Sequence, residues 1–209
     1  MNKKNYLAIF AKSFNWAGFF LPKKTYEDSA KLYAFCRVLD DIADEKTDLE
    51  SKIKRFNKMR IFLKESYDTK TKEVHSFNES EKIIHDVITL AENNNIKRII
   101  LEDLVDGVAS DLKKKIYVRS VRDLLVYSYR VAGTVGLMMS KILMVNDRRA
   151  FKGAIDLGIA MQLTNIARDV IEDKKMNREY IKPDFENIQA TLKLADMFYE
   201  SSFSSIQKI

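Results

Sequence analysis

Apolar residues along this chain recur at steps of three and four over long stretches, the spacing that gathers them on one side of an α-helix. Pro22 with Thr25 opens a helix over 22–44, in which Ala30, Tyr33, Ala34, Arg37, Asp40, Asp41 and Asp44 fall at helical intervals. A second helix is predicted over 49–64, with Ile53, Phe56, Ile61 and Phe62 as its buried side. The polar stretch 66–78 reads as a loop. Helices follow over 79–92, ending at Asn93-Asn94-Asn95, and over 97–112. Beyond the basic run Lys113-Lys114-Lys115 a long helix is predicted over 121–145, and Asn146-Asp147 separates it from another over 148–173. A polar connector over 174–184 leads to a last helix near 188–202. No internal repeat or low-complexity linker interrupts these roughly eight helices, so the pattern predicts one all-α domain over residues 1–209.

Composition agrees with that pattern. Only 6 Gly and 2 Pro occur among 209 residues, too few turn formers for an all-β chain. Apolar residues at 46% and charged residues at 32% are a globular balance. The net charge of +6 suits anionic partners such as diphosphates, nucleic acid or acidic lipid without choosing among them. Cys36 is the single cysteine, which allows no intrachain disulfide and fits a reducing compartment. The N-terminal apolar run breaks at Lys12 with no small-residue cleavage site after it. The longest apolar stretch, 131–145, contains Lys141 and falls short of the ~20 residues that span a bilayer. A cytoplasmic protein, or one peripheral to the inner face of the membrane, is expected.

The charged positions carry the chemistry. Asp40 and Asp44 stand at i and i+4, so on a helix their side chains share one face ~5–6 Å apart. Tyr33 and Arg37 extend that stripe backwards. Asp169 and Asp173 repeat the spacing, with Gln162 and Asn165 in register behind them. Like charges so placed destabilise a helix unless something positive lies between them. The donors are hard oxygens and neither His75 nor His85 is near either stripe, which selects Mg²⁺, with Mn²⁺ as the alternative, over zinc. Mg²⁺ takes one or two carboxylates plus water and phosphate oxygens, so a substrate diphosphate is the expected co-ligand. One such pair alone is usually solvated surface charge; the register of Gln162 and Asn165 with the second pair is what surface charge does not explain.

Five segments resemble, in order, the signature segments of the head-to-head trans-prenyl synthases, the squalene/phytoene synthase family. They are AKSF (11–14), YAFCRVLDDIADE (33–45), YSYRVAGTVGLMM (127–139), AMQLTNIARDVIED (160–173) and NREYIKP (177–183). The similarity is greatest to the phytoene-forming members, beside squalene and dehydrosqualene synthases. The resemblance implies an all-α, type I isoprenoid-synthase helical bundle with a central cavity, in which two acidic helices hold Mg²⁺ against diphosphate. It implies Asp40, Asp44, Asn165, Asp169 and Asp173 as the metal set. Ser13, Tyr33, Arg37 and Arg178 would contact diphosphate, Gln162 and Asn165 would complete the polar wall on the substrate side, and Tyr129 would line the reaction centre. The reaction so implied joins two geranylgeranyl diphosphates head to head into phytoene through a cyclopropyl diphosphate, the first committed step of carotenoid biosynthesis. Family members continue through further C-terminal helices that close the cavity, and this chain, ending at Ile209, is expected to be short of them. Ala11 stands where the family often has Ser, and Glu179 where it has an apolar residue.

Other features bound the reading. Gly133-Thr134-Val135-Gly136 lacks the spacing of a nucleotide-binding loop and the Lys-Ser/Thr that follows one, so no NADPH is expected. The alternatives are a farnesyl-using squalene or dehydrosqualene type of synthase, and a non-catalytic relative acting as an assembly factor; retention of all four aspartates speaks against the latter. The positive charge is spread along the chain with no recognised motif, so no nucleic-acid partner is expected, and the lack of a Glu-x-x-His pair excludes a di-iron bundle. A monomer is favoured, with Lys113, Lys114 and Lys115 suited to an anionic membrane surface. Gly18, Gly133 and Gly136 either make room for a long polyene or allow close helix packing. Met138, Met139, Met144 and Met161 read as core filler, and Cys36 as a buried small hydrophobe.

Overall fold

In a computed structural model of the chain, residues 18, 20–69, 79–113 and 116–206 are described. The chain divides into two compact units, Met1–Arg98 and Ile99–Ile209. The first holds α1 (Lys23–Asp44), α2 (Leu49–Thr69) and α3 (Glu79–Asn93), each packed on the other two. The second holds α4 (Arg98–Ala109, its first residue at the boundary), β1 (Ile116–Tyr117), α5 (Val121–Ser128), a π-helical turn (Tyr129–Gly133), α6 (Thr134–Ile142), α7 (Arg148–Lys175), β2 (Arg178–Glu179) and α8 (Phe185–Ile206).

Helix starts fall where the sequence supplies an oxygen for the first free amides. Asp48 accepts from the Ser51 N–H at 2.8 Å before α2. Ser120 accepts from Asp123 at 3.1 Å before α5, and Asp147 from Arg149 at 2.7 Å before α7. Asp184 accepts from Asn187 at 2.8 Å before α8. Each bond satisfies one amide that has no partner within its helix. α1 begins instead on Pro22, which has no N–H to leave unpaired. α3 ends at the asparagine run, where Asn95 takes a left-handed φ of 51°.

The first unit buries Leu32, Phe35, Leu39 and Ile42 of α1 together with Ile84, Val87 and Ile88 of α3. On α2 the buried row is Phe56, Met59 and Leu63, whereas Ile53 and Ile61 are exposed. The expected set of Ile53, Phe56, Ile61 and Phe62 mixed two faces; the steps 56, 59, 63 follow the helix period. α2 also runs on to Thr69, into the stretch predicted as a loop.

The second unit is built on α7, which packs against α5, the π turn, α6, β2 and α8. Its core cluster joins Ile159, Leu163 and Ile166 of α7 to Leu124, Ile116, Tyr180 and Ala195. A polar network ties α7 to α8: buried Asp156 accepts from Lys152 Nζ at 2.5 Å and from Ser201 Oγ at 2.6 Å. The helix predicted over 121–145 is broken by the π turn and ends at Ile142. The predicted connector holds β2, which lies parallel to β1 with Ile116 opposite Arg178. Two-residue strands show no alternation to read. Of the four methionines taken as core, only Met138 is fully buried; Met144 and Met161 are exposed.

The structure decides between the two readings of the glycines. A Cβ at Gly136 would lie 2.1 Å from the Ala154 carbonyl oxygen, and one at Gly158 would lie 2.4 Å from that of Ala132. These glycines let α6 and the π turn meet α7 backbone to backbone. Beside Gly18 the space is filled by the Tyr26 ring, 2.6 Å from where a Cβ would stand. Gly136→Ala must therefore push two helices apart, an overpacking cost of about 1–3 kcal/mol. Thermal unfolding should show a Tm several degrees lower, and an unchanged Tm would contradict this packing.

Candidate active site

α1 winds so that Leu32, Phe35, Leu39 and Ile42 turn into the first unit while Tyr33, Arg37, Asp40 and Asp44 form a separate stripe. Tyr33 and Arg37 are half-buried, Asp40 and Asp44 exposed. Arg37 Nη2 lies 2.7 Å from an oxygen of Asp41, one helical turn on and on the neighbouring row. Asp41 thus joins the site as a partner of the predicted arginine. Burial raises the Tyr33 hydroxyl above its ordinary value against the opposing charge of Arg37, so it stays a hydrogen-bond donor. Burial, then the charge of Asp40, pushes the Cys36 thiol up to about 12, which leaves it neutral and unreactive. An open recess of about 360 Å³ at the end of the stripe is lined by Asp41, Asp44, Glu45 and Arg55, where Arg55 pairs with Glu45. Ser13 lies outside the described residues.

On α7 the row Ile159, Leu163, Ile166, Val170 is buried, and the row Gln162, Asn165, Asp169, Asp173 beside it is half-buried throughout. Every side chain of that polar row offers a hard oxygen. The fit to Mg²⁺ is therefore one of donor chemistry: two carboxylates and two amides in line, with room in the coordination shell for phosphate oxygens. Among the described residues no three His, Cys, Asp or Glu side chains group closely enough to hold a metal by themselves.

The two carboxylates differ. Arg168 grips Asp169 through two bonds of 2.6 and 2.5 Å, and this pairing holds the Asp169 carboxyl below its ordinary value. Asp173 goes the other way, raised to about 6, chiefly by burial. Arg178 opposes that rise, and Asp169, Asp111 and Glu172 add to it. Asp169 is thus a fixed anion, while Asp173 titrates near neutrality. Arg168 escaped the sequence reading because consecutive helical residues do not share a face.

Tyr129 opens the π turn, and the Thr134 N–H reaches back to its carbonyl. The extra residue of such a turn is a common feature of functional sites. The ring is half-buried against the α7 core cluster. Burial, then the charge of Asp103, raises its hydroxyl, and Arg130 opposes. Arg130 Nε in turn lies 3.6 Å from Asp103. Arg178, on β2, is half-buried. A cavity of about 520 Å³ in this unit is lined in part by Lys113, Arg119, Arg130, Tyr127 and Tyr180, and none of the predicted aspartates lines it. Sequence reasoning also missed a cluster of Asp111, Tyr127 and Tyr180, whose members lie 16 and 53 residues apart and leave no local signal.

The family profile of squalene/phytoene synthases matches residues 9–201. The 15-cis-phytoene synthase of Paracoccus sp. (strain N81106 / MBIC 01143) is 33% identical over 175 residues, 84% of this chain and 57% of that protein. The phytoene synthase of Rhodobacter capsulatus is 34% identical over 187 residues, 88% of this chain and 53% of that protein. The chain therefore spans little more than half the length of these curated relatives. A crystal structure of a dehydrosqualene synthase in complex with ligand superposes with a TM-score of 0.72 at 28% identity, covering 96% of this chain and 74% of that one. The squalene synthase HpnC of Alicyclobacillus acidocaldarius, at 17% identity and a TM-score of 0.71, shares the fold. The all-α isoprenoid-synthase fold is thus the fold of this chain. Among the described residues no helix is long and apolar enough to cross a membrane.

The raised Asp173 carboxyl fixes a pH dependence. Its folded value of about 6 lies above the ~3.9 of an unfolded aspartate, so between the two the folded chain binds more protons. This group therefore lowers stability as pH rises through that window. Asp173→Asn should raise the Tm in metal-free buffer at pH 8, with the gain fading at pH 4. A gain that is equal at both values, or a loss at pH 8, would contradict the assignment.

Proposed function

The chain belongs to the squalene/phytoene synthase family, and from that premise we propose that it is a prenyltransferase condensing two geranylgeranyl diphosphates head to head into phytoene, with release of diphosphate. The observation that carries the proposal is the half-buried row Gln162, Asn165, Asp169 and Asp173, flanked by the cations Arg168 and Arg178. The resemblance of curated relatives named 15-cis-phytoene synthase supports phytoene as the product over a farnesyl-derived one.

Asp40, Asp44, Asn165, Asp169 and Asp173 would hold Mg²⁺, whose contribution when bound is to offset charge on the departing diphosphate. The residues of the chain itself do the rest. Arg37 and Arg178 place fixed positive charge at the diphosphate, where negative charge grows as the allylic C–O bond breaks with its electron pair. Tyr33 and Gln162 add uncharged donors. The double bond of the second prenyl diphosphate supplies the electrons of the new C–C bond, and loss of a proton closes the cyclopropane. A second C–O cleavage, rearrangement and loss of another proton give the conjugated hydrocarbon. The sum is redox-neutral, so no NADPH is needed. Tyr129 presents a half-buried aromatic ring, suited to steady a carbocation through its face. The apolar rows beside it exclude the water that would quench such a cation. A product this apolar suits release at a membrane surface, with the chain peripheral to it.

Product analysis tests the reading. Incubation with geranylgeranyl diphosphate and Mg²⁺ should yield phytoene, and chelation should abolish it; product from farnesyl diphosphate alone would favour the dehydrosqualene-type alternative, and no product from either would overturn the reading for this chain. Asp40→Asn and Asp169→Asn should each reduce turnover at least ~100-fold, the order expected for removing a group that stabilises developing charge, while circular dichroism stays unchanged. Wild-type rates in either variant would sink the metal assignment. Arg178→Ala should raise KM more than it lowers the Tm.

A further inference from the structure

Asp111 stands in the turn after α4, where its own N–H donates to the Val108 carbonyl at 3.0 Å. Its carboxylate is shared by two phenols. The Tyr127 hydroxyl lies 2.8 Å from Oδ2 and the Tyr180 hydroxyl 2.8 Å from Oδ1. The two hydroxyls are 2.9 Å apart, and the rings stack with centroids 4.7 Å apart and planes 24° from parallel. Tyr180 is buried in the core cluster of its unit. Burial, and then the charge of Asp111, raises both phenols far above their ordinary value, so each remains protonated and able to donate. Hydrogen bonds to a carboxylate are about twice as strong as those between neutral groups.

The cluster sits at the far end of the segment that carries Arg178. At its near end the chain leaves α7 through Asn177, in a left-handed conformation with φ 59°. Between the two ends, the Ile116 N–H donates to the Asn177 carbonyl at 3.0 Å and the Val118 N–H to the Glu179 carbonyl at 3.1 Å. A pair of two-residue strands is marginal by itself. Tyr180 follows Glu179 directly, so its bond to Asp111 closes what the strand pair leaves loose. Arg178 lies within that span, and its charge is the largest influence opposing the effect of burial on Asp173.

We propose that Asp111 is a positioning residue: by holding the Tyr180 hydroxyl, with Tyr127 stacked behind it, Asp111 fixes β2 so that Arg178 stays at the acidic end of the α7 row. The kinetic part of this rests on the function proposed above; the mechanical part does not.

The test uses Asp111→Ala, Asp111→Asn, Arg178→Ala and the double variant Asp111→Ala with Arg178→Ala, each in the whole chain. Hydrogen exchange is read at the Ile116 and Val118 amides, and KM is read for geranylgeranyl diphosphate. Asp111→Ala should speed exchange at both amides and raise KM about tenfold, the scale of lost hydrogen bonds to a charged group, with a smaller change in kcat and unchanged helical circular dichroism. Asp111→Asn keeps an acceptor and gains a donor, and it should recover most of both readouts. In the Arg178→Ala background Asp111→Ala should add nothing to KM. Protection unchanged at Ile116 and Val118, or KM effects that multiply in the double variant, would overturn the proposal. Tyr180→Phe, which keeps the ring and removes only the hydroxyl, should reproduce the faster exchange and stands in if Asp111→Ala does not fold. Should the unaltered chain turn over neither prenyl diphosphate, the proposed function falls, while exchange at the two amides and calorimetric binding of Mg²⁺ with inorganic diphosphate still decide the role of Asp111.

Discussion

Carboxylates set one turn apart on a half-buried helix face repel one another, and the polar row of α7 is organised around that repulsion. Exposure would screen the charges and full burial would protonate both. α7 does neither. It keeps Asp169 and Asp173 beside a buried row of Ile159, Leu163, Ile166 and Val170, close enough to the core for charge to matter and open enough for a ligand to reach them. The cost appears in Asp173, raised to about 6. A protein that only needed stability would place an amide there.

The surrounding cations split the pair into unlike members. Arg168 satisfies Asp169 from the adjacent position, a geometry that leaves both groups outward and fixes the anion. Arg178, on another element, acts on Asp173 through its charge and only partly offsets its burial. Asp169 is thereby charged throughout the ordinary pH range, whereas Asp173 holds a proton below about pH 6, where a cation arriving beside it would displace that proton. α1 repeats the theme more loosely: its aspartates are exposed, and Arg37 pairs with Asp41 one turn on.

How much of this could be read beforehand follows from distance along the chain. The helical period places α1, α3, α7 and α8, and the i, i+4 rule picks out the two aspartate stripes, because both signals lie within a few residues. On α2 the buried row was misassigned, since Ile53 and Ile61 are as apolar as Phe56 and only the partner helices distinguish them. The β1–β2 pair joins segments some sixty residues apart by backbone bonds that carry no side-chain pattern. The same holds for Asp111, Tyr127 and Tyr180: the two tyrosines lie in segments that resemble family signatures, yet nothing local says that they meet, and the cluster exists only once the end of α4, α5 and the end of β2 come together.

The π turn shows why local pattern fails where it does. Residues 121–145 read as one helix, yet Gly136 and Gly158 bring the backbones of α6 and of the π turn so close to α7 that a Cβ on either would strike a carbonyl. The turn at Tyr129–Gly133 sits at this close approach and adds one residue to the helical repeat between α5 and α6. A Cβ at Gly133 would stand 3.1 Å from the Tyr129 ring, 3.3 Å from Ile155 and 3.4 Å from Ile159, so a larger residue there would crowd all three. The small residues thus let the helices meet at backbone distance and leave the Tyr129 ring its place beside Gly133. Here the packing of the helices and the position of the aromatic ring depend on the same lack of side chains, so a methyl group added at Gly133 would press on the ring as well as on α7.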